Sequence, residues 1–378
     1  MSLIIAGIYI HIPFCKQACY YCNFHFSTSL KNKEAFIESI LKEIQLRKDE
    51  LICESVNTIY FGGGTPTVLD TKEINLILNS IYSNFNIAEN PEITIEANPD
   101  DIDESILEDL SKNINRISIG VQSFFDEDLK LINRYHDSNQ AKNSIELTKK
   151  YFDNISVDLI YGIPGLTDNR WIKNIEIAKN YNLPHISAYA LTVEPKTILK
   201  KLIEKGKIDN IDDEILKRHN EMIAIELEKS KYLNYEISNF ALNNYMSINN
   251  SAYWQRKNYI GLGPSAHSFN GSQRMWNVSN NNQYIKSLYN NKLPITKENL
   301  TKIDIYNEIV MTGLRTMWGI SLVDIENDLG KKFKDYLLHK SRIKIEKKLI
   351  VLENNFLKIT SKGRFLSDGI ASDLFMLT

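Results

Sequence analysis

Residues 8 to 22 read Ile8-Tyr-Ile-His-Ile-Pro-Phe-Cys15-Lys-Gln-Ala-Cys19-Tyr-Tyr-Cys22, an apolar β-rich run followed at once by three cysteines. The apolar run predicts a buried strand. Only one further cysteine, Cys53, occurs in the 378 residues, so the thiols are too few and too clustered for a disulfide framework. Cys53 lies in a helix-like segment and is expected to be a small buried hydrophobe. A cysteine cluster of this kind indicates a metal site in a reducing, cytoplasmic protein.

Five further apolar runs follow the first and predict five more strands. They span residues 56–61, 93–97, 117–121, 157–161 and 186–191. Stretches with apolar residues at three- and four-residue steps lie between them and predict helices: 35–46, 72–82, 104–110 and 141–151. Six β-α units in this order favour an α/β fold with a parallel sheet, and six units suit an incomplete (β/α)6 barrel, three quarters of a TIM barrel.

The chain divides into three predicted regions. Residues 1–235 hold the β-α units and end in a helical stretch, and residues 236–300 form an α/β extension in a segment rich in aromatic residues and asparagine. Residues 301–378 predict three helices, two short strands and a last helix. That order is typical of a small winged-helix-like domain.

Charge and hydropathy exclude several classes of protein. Lys and Arg number 45 against 47 Asp and Glu, a formal net charge of −2, so no global positive field attracts nucleic acid. No stretch reaches the roughly 18 to 20 apolar residues of a membrane span, and no basic residue precedes Lys16 as in a secretory signal. We expect no nucleic-acid partner and no transmembrane segment, whereas transient membrane association stays open.

Cys15, Cys19 and Cys22 follow a C-x3-C-x2-C spacing. Thiolates are the usual ligands of iron–sulfur clusters, and three thiolates on a four-iron cube leave one iron free to bind another molecule. The alternative is a Cys3His zinc site completed by His11 or His25. Zinc sites commonly use two separate C-x2-C arms, and the sequence has no second arm.

This spacing after a strand, in a six-unit β-α chain, resembles the signature of radical S-adenosylmethionine (SAM) proteins. Several segments are similar to one branch of that superfamily: Tyr9-Ile-His-Ile-Pro-Phe-Cys15, Phe61-Gly-Gly-Gly-Thr-Pro-Thr67, Ile95-Glu-Ala-Asn-Pro99, Gly120-Val-Gln-Ser-Phe124, Asp158-Leu-Ile-Tyr-Gly-Ile-Pro-Gly165, Gly313-Leu-Arg-Thr316 and Thr360-Ser-Lys-Gly-Arg-Phe365. The branch contains oxygen-independent coproporphyrinogen III oxidases and the heme chaperones called HemW. The resemblance covers nearly the whole chain.

The resemblance implies a [4Fe-4S] cluster whose open iron takes the amino and carboxylate groups of SAM. Gly63 and Gly64 would let the backbone approach the ligand, and their N–H groups, with Thr65, would bind its methionine end. Since most loops after the predicted strands carry such residues, including 162–165, we expect these loops to face one pocket.

Five other residues are implied in the SAM pocket. Glu96 would accept hydrogen bonds from an ammonium or a ribose, and Asp158 would hold ribose hydroxyls. Arg134 would bind the carboxylate in a bidentate way, and Tyr9 and Gln122 would complete the wall. Without the resemblance, the two carboxylates would be ordinary helix caps at strand ends, and the arginine a solvated helix residue.

Two functions from different classes compete. One is a heme chaperone that passes heme to an acceptor, with a respiratory protein as the expected recipient. The other is a coproporphyrinogen III dehydrogenase, which oxidatively decarboxylates two propionates. The cysteine motif of the oxidases resembles C-x3-C-x2-C-x-C, whereas this sequence has Phe24 at the position of the last cysteine. Chaperone-type sequences also begin close to the first strand, as this one does. Both features favour the chaperone.

The heme chaperones carry a His-Asn-x-x-Tyr-Trp motif, which here reads Asn249-Asn250-Ser-Ala-Tyr253-Trp254. The histidine is replaced by Asn249, and a carboxamide is not a usual ligand of heme iron. We still expect heme binding, and we expect a histidine restored at position 249 to tighten it. Substitute ligands, each of which could also be an ordinary buried residue, are His267, His185, Tyr253 and Met246.

Overall fold

The computed structural model describes residues 4–377, and its centre is a run of six parallel strands. These are β1 (Ile4–Ile12), β2 (Glu54–Gly63), β3 (Ile87–Ala97), β4 (Arg116–Gln122), β5 (Ile155–Tyr161) and β6 (His185–Ala190). The helices between them are α1 (Lys33–Arg47), α2 (Thr71–Asn84), α3 (Glu104–Leu110), α4 (Asp126–Leu131), α5 (Ser138–Thr148) and α6 (Asp168–Asn180). All six strands of the predicted α/β fold are confirmed, and the connecting helices make each neighbouring pair parallel.

The following segment extends the same sheet at both edges rather than forming a separate layer. Its elements are α7 (Ile198–Glu204), α8 (Asp213–Lys229), β7 (Leu233–Asn234), β8 (Asn239–Ala241), α9 (Ile248–Trp254), β9 (Asn258–Leu262), β10 (His267–Phe269), β11 (Gln273–Asn277), α10 (Asn281–Tyr289) and β12 (Ile295–Asn299). The strand order is β12-β11-β10-β9-β1-β2-β3-β4-β5-β6-β8-β7. The sheet is therefore open, as an incomplete barrel requires, and residues 236–300 share its core through Phe240, Ile260 and Tyr284.

A buried carboxylate fastens this extension to the barrel. Glu43 on α1 accepts hydrogen bonds from Arg47 Nη1 (3.2 Å), the Gly263 amide (2.9 Å), Asn277 Nδ2 (2.8 Å) and the Tyr284 hydroxyl (2.6 Å). Burying a charge costs free energy unless the charge is paired and hydrogen-bonded, and these four donors provide such partners for the Glu43 carboxylate. The network joins α1 to β9–β11 and α10.

Residues 302–374 form a second unit with its own apolar core. It consists of α11 (Lys302–Leu314), β13 (Ile320–Ser321), α12 (Leu322–Leu329), α13 (Lys331–Glu346), β14 (Ile350–Glu353), β15 (Phe356–Ile359) and α14 (Ser367–Leu374). The strand order β13-β15-β14 gives a three-stranded antiparallel sheet beside the helices. This order of elements agrees with the predicted winged-helix-like domain.

Two further observations concern single sequence features. Cys53 lies in the turn between α1 and β2 and is exposed, so the prediction of a buried residue is wrong: the helix ends at Arg47, before the cysteine. Within residues 4–377, no helix is both long and apolar enough to cross a membrane.

Glu43→Gln is expected to lower the free energy of unfolding by about 3 kcal/mol, because it removes the fully buried one of the two carboxylates that pair with the Arg47 guanidinium. Urea unfolding of the apo protein measures this. Asp109→Asn, which removes an exposed partner of Lys112, is the control and should leave the midpoint unchanged. Equal midpoints for all three proteins would contradict the anchoring role of Glu43.

Candidate functional site

Two adjacent cavities lie beside the sheet. The first, of about 430 Å³, is called the cluster cavity; it is lined by the three cysteines and by the carboxyl ends of β2 to β6. The second, of about 880 Å³, is called the large cavity; residues of β1, the loop after the cysteines, α9, β9–β11 and α11 line it. Asn23, Phe24 and Tyr189 belong to both walls.

The cysteine loop is held in place by the chain that follows α4. Tyr20 N–H donates to the Ile132 carbonyl (3.1 Å), Gln17 Nε2 donates to the Asn133 carbonyl (2.9 Å), and Asn133 Nδ2 donates to the Ala18 carbonyl (2.7 Å). Asn133 adopts φ 59°, a left-handed conformation that asparagine tolerates better than most residues. The cysteines are therefore presented by a fixed loop.

Polar groups surround the thiols. Burial raises the pKa of the Cys15 thiol to about 11, and the hydrogen bond with Thr65 partly opposes that rise. Arg134 Nη1 lies 3.4 Å from Cys19 Sγ, and Arg134 Nη2 donates to Asn98 Oδ1 at 2.6 Å. Asn98 in turn donates to Thr65 Oγ1 at 3.1 Å. This chain of contacts fixes the positions of Arg134, Asn98 and Thr65 around the thiols.

The two histidines of the zinc alternative are engaged elsewhere. His11 Nε2 donates to the His25 carbonyl (2.8 Å), and His11 Nδ1 accepts from the Tyr9 hydroxyl (3.1 Å). His25 Nε2 donates to Asn281 Oδ1 (2.6 Å). Within residues 4–377, no three His, Cys, Asp or Glu side chains are grouped to hold a single metal ion. In the predicted cluster, each cysteine binds a different iron.

The N–H groups of the glycine segment make contacts within the chain. Gly63 N–H donates to Glu96 Oε2 (3.2 Å), Gly64 N–H to the Ile12 carbonyl (2.8 Å) and Thr65 N–H to the Phe14 carbonyl (2.7 Å). In this structure these N–H groups therefore connect neighbouring chain segments, and their binding of a ligand stays a prediction. A Cβ on residue 64 would lie 2.5 Å from the Phe14 carbonyl oxygen, so glycine is required for the close approach of two chain segments.

Glu96 and Asp158 are carboxyls in the wall of the cluster cavity. Burial raises the pKa of Glu96 to about 7, although the Tyr60 hydroxyl donates to it at 2.8 Å. Burial also raises the pKa of Asp158, which accepts from the Ser118 hydroxyl at 3.2 Å. Neither carboxyl caps a helix, so the ordinary structural interpretation does not apply to them.

Arg134 is half-buried in the wall of the cluster cavity, and its contacts differ from the predicted bidentate grip on a carboxylate. Nη1 faces Cys19, and Nη2 donates to Asn98 and to the Gly120 carbonyl (2.7 Å). Nε is buried without a hydrogen-bond partner among the described residues. This unsatisfied donor, the three thiols and the half-buried carboxyls together fit a bound cluster with a polar, cationic ligand.

The remaining predicted residues of the SAM wall divide between the two cavities. Gln122 lines the cluster cavity at the end of β4 and adopts φ 66°, an uncommon conformation that is frequent at functional sites. Tyr9 instead lines the large cavity, and its contact with SAM stays a prediction. The loop 162–165 lies outside both walls, because Gly162 N–H donates to His219 of α8 at 3.3 Å.

The residues predicted to contact heme do not all line the large cavity. Asn250, Tyr253, Trp254 and His267 line the large cavity. Asn249 does not: it is 3% exposed, and its Oδ1 accepts from Thr58 at 3.1 Å, so an imidazole there would face β2. These contacts do not favour position 249 as a ligand of heme iron.

Sequence reasoning missed several residues in the two walls. Asn98 lies within a segment already matched to the family, and Tyr189 sits near the end of a predicted strand, so position alone could have indicated both. The arginines of the large cavity were not predicted, although one of them, Arg315, lies within the matched segment Gly313–Thr316. They are Arg256, Arg274 and Arg315.

Comparisons with known proteins agree with this geometry. Residues 9–178 match the radical SAM superfamily and residues 300–366 match the HemN C-terminal domain. A protein of Lactococcus lactis (strain IL1403), named heme chaperone HemW, is 32% identical over 365 residues, which cover 96% of this chain and 95% of that protein. The chain belongs to the HemW family. A Bacillus subtilis (strain 168) HemW is 31% identical over 96% of this chain and 97% of its own length.

The solved structure of coproporphyrinogen III oxidase (HemN) from Escherichia coli shares the fold of this HemW-family chain. It superimposes with a TM-score of 0.85 at 23% identity and covers 99% of this chain and 91% of that one. The radical SAM superfamily implies a [4Fe-4S] cluster and SAM as cofactors.

Replacing Cys15, Cys19 or Cys22 with alanine is expected to abolish retention of the cluster, because each thiolate binds its own iron. Anaerobic reconstitution followed by iron and sulfide counts measures this, with about four irons per chain expected for the unsubstituted protein. The exposed Cys53 supplies the control, since Cys53→Ala should keep the full iron content. Full iron content in any of the three variants would rule that cysteine out.

SAM binding is expected to weaken as the pH falls from 8 to 6. With a pKa of about 7, the ionised fraction of Glu96 drops about tenfold over that interval, and the ionised carboxylate is the better partner for a cationic ligand. Equilibrium dialysis of the cluster-loaded protein should show a dissociation constant up to about tenfold higher at pH 6. Glu96→Gln should flatten this profile, and an unchanged profile in that variant would exclude Glu96.

Proposed function

We propose that this protein is a heme carrier that binds heme in the large cavity, beside a SAM-liganded [4Fe-4S] cluster. The observation that carries the proposal is the cavity itself. Its volume of about 880 Å³ lies in the range of about 300 to 1,000 Å³ typical of cofactor sites. Its wall combines the aromatic rings of Tyr253, Trp254 and Phe269 with arginines, which suits a flat apolar macrocycle bearing carboxylates. Full-length relatives named heme chaperone support the same conclusion.

His267 is the proposed ligand of the heme iron. Three histidines line the large cavity, and both ring nitrogens of His11 are engaged, as is one of His25. Neither ring nitrogen of His267 has a hydrogen bond to a described residue, and Trp276 stacks on the ring with centroids 6.0 Å apart. Partial burial and Arg274 lower the pKa of His267, which keeps the imidazole neutral, as iron ligation requires.

The cofactor residues are proposed in the cluster cavity. Cys15, Cys19 and Cys22 would hold the cluster, whose open iron binds SAM and supplies an electron to it. The other contacts come from the chain: Glu96 and Asp158 would accept hydrogen bonds from cationic and hydroxyl groups of SAM. The wall is completed by Gly63, Gly64, Thr65, Gln122 and Arg134. Arg134 would stabilise the thiolate of Cys19.

Transfer of heme to an acceptor, with a respiratory protein as the proposed recipient, requires that the ligand leave the cavity. His267 is exposed, and Phe24 is 67% exposed at the boundary with the cluster cavity. Both therefore belong to an accessible mouth rather than a closed core. The four unpaired cysteines support a reducing compartment, which we propose to be the cytoplasm.

A second candidate function is the radical SAM oxidation of a porphyrinogen. It is supported by the wall that the two cavities share, since a ligand in the large cavity would lie next to the SAM site across Phe24 and Tyr189. Phe24 argues against this second function, because the cysteine motif of the oxidases has a cysteine at that position. Incubation with coproporphyrinogen III, SAM and a reductant distinguishes the two, since only the oxidase would form protoporphyrinogen.

An anaerobic heme titration of the cluster-loaded protein is expected to saturate near one heme per chain. His267→Ala should shift the absorbance spectrum and weaken binding about tenfold or more, because the iron loses its protein ligand. Asn249→His should leave both spectrum and affinity unchanged, since position 249 faces Thr58. An unsaturable titration would refute the carrier, and a spectrum unaffected by His267→Ala would refute this ligand.

A further inference from the structure

Two arginines in the wall of the large cavity share one carboxylate. Arg256 Nε donates to Glu308 Oε2 at 3.1 Å, and Arg274 Nε donates to Glu308 Oε1 at 3.0 Å. Both guanidiniums also lie over the ring of Phe269, with distances of 5.0 and 4.4 Å to its centroid. The Tyr259 hydroxyl accepts from Arg274 Nη1 at 3.2 Å. The pair is thus held rigidly by α11 on one side and by β9–β10 on the other.

Glu308 is hydrogen-bonded to both guanidiniums of this pair, so each has only a shared carboxylate in direct contact, and Asp328 adds a weaker attraction for Arg256. Arg256 Nη2 lies 3.0 Å from Glu308 Oε2, but its hydrogens do not point at that oxygen, and this buried atom has no hydrogen-bond partner among the described residues. Burial and the nearby Arg274 lower the pKa of Arg256, so an additional anion would relieve both penalties.

The other charged side chains that line the cavity neither neutralise this pair nor offer a second free guanidinium. Arg315 is already paired with Asp368 through two hydrogen bonds of 2.7 Å each. Glu236 is the one carboxyl among the residues that line the cavity, and burial raises its pKa to about 7, which removes much of its charge at neutral pH. The incompletely neutralised positive charge is therefore located at Arg256 and Arg274.

We propose that Arg256 and Arg274 form a carboxylate-binding subsite that recognises the propionates of the bound macrocycle. The inference rests on the proposed heme-carrier function and adds the group that orients the ligand. Guanidinium forks bind carboxylates with charge-assisted hydrogen bonds, and the unsatisfied Nη2 of Arg256 supplies a donor. The apolar Phe269 ring beneath the pair limits competition by water.

The subsite also fixes the orientation of the ligand. Phe269 and His267 lie two residues apart on β10, a spacing of about 6.8 Å on one face of the strand, and Phe269 is paired across to Arg274. The propionates would then contact the arginines while the iron faces His267. Arg256 and Arg274 act as positioning and specificity residues for any porphyrin with carboxylates at one edge.

The test compares iron protoporphyrin IX with its dimethyl ester, in which both carboxylates are blocked. The cluster-loaded protein is expected to bind the free acid about tenfold more tightly than the ester. Arg256→Gln and Arg274→Gln should each reduce that preference to about threefold or less by weakening binding of the acid alone. Arg218→Gln, which removes the same charge from an exposed pair with Asp168, is the matched control and should keep the full preference.

Lysine variants distinguish loss of the subsite from a folding defect. Arg256→Lys and Arg274→Lys keep the charge beside Glu308, and we expect a preference between those of the unsubstituted protein and the glutamine variants. Equal affinity of the unsubstituted protein for acid and ester would overturn the subsite while leaving the heme carrier intact. Equal loss of acid and ester binding in all arginine variants would assign the pair a purely structural role. Saturable binding of neither ligand would overturn the carrier and the subsite together.

Discussion

The structure depends on main-chain hydrogen bonds that fix the cysteine loop, residues 13–27, between two parts of the barrel. On one side, Thr65 N–H donates to the Phe14 carbonyl at 2.7 Å, and on the other, Tyr20 N–H donates to the Ile132 carbonyl at 3.1 Å. Any side chain at residue 64 would separate the first pair of segments. Because the loop contributes to both cavities, its position sets the geometry of the cluster site and of the large cavity at once.

The two cavities differ in the charge of their walls, and this difference separates their ligands. Two half-buried carboxyls, Glu96 and Asp158, face the cluster cavity, where a sulfonium and an ammonium would be favoured. Guanidiniums, Arg256 and Arg274 among them, face the large cavity, where carboxylates would be favoured. Phe24 contributes to both walls, so each ligand would lie beside the other without sharing its charged contacts. Electrostatic complementarity of this kind provides selectivity as well as affinity.

The sequence predicted the elements that local periodicity determines. All six parallel strands were found, and the predicted helix 104–110 agrees to the residue with Glu104–Leu110. Contacts made by distant segments could not be predicted. From sequence, the N–H groups of Gly63 and Gly64 were expected to bind a ligand. The pattern of residues does not reveal that Glu96 accepts from Gly63 and that the Ile12 carbonyl accepts from Gly64.

Position 249 shows the same limit. The sequence places this residue in a motif, yet only the fold reveals that α9 turns its side chain toward β2. The arginine pair could not be predicted for a related reason: Arg256 and Arg274 meet Glu308 only through tertiary packing.

The most direct test of two separate ligand sites is anomalous diffraction at the iron edge from crystals of the cluster- and heme-loaded protein. The account predicts iron density at the three cysteines and a separate iron beside His267 in the large cavity. A heme iron bound anywhere else on the chain would contradict it.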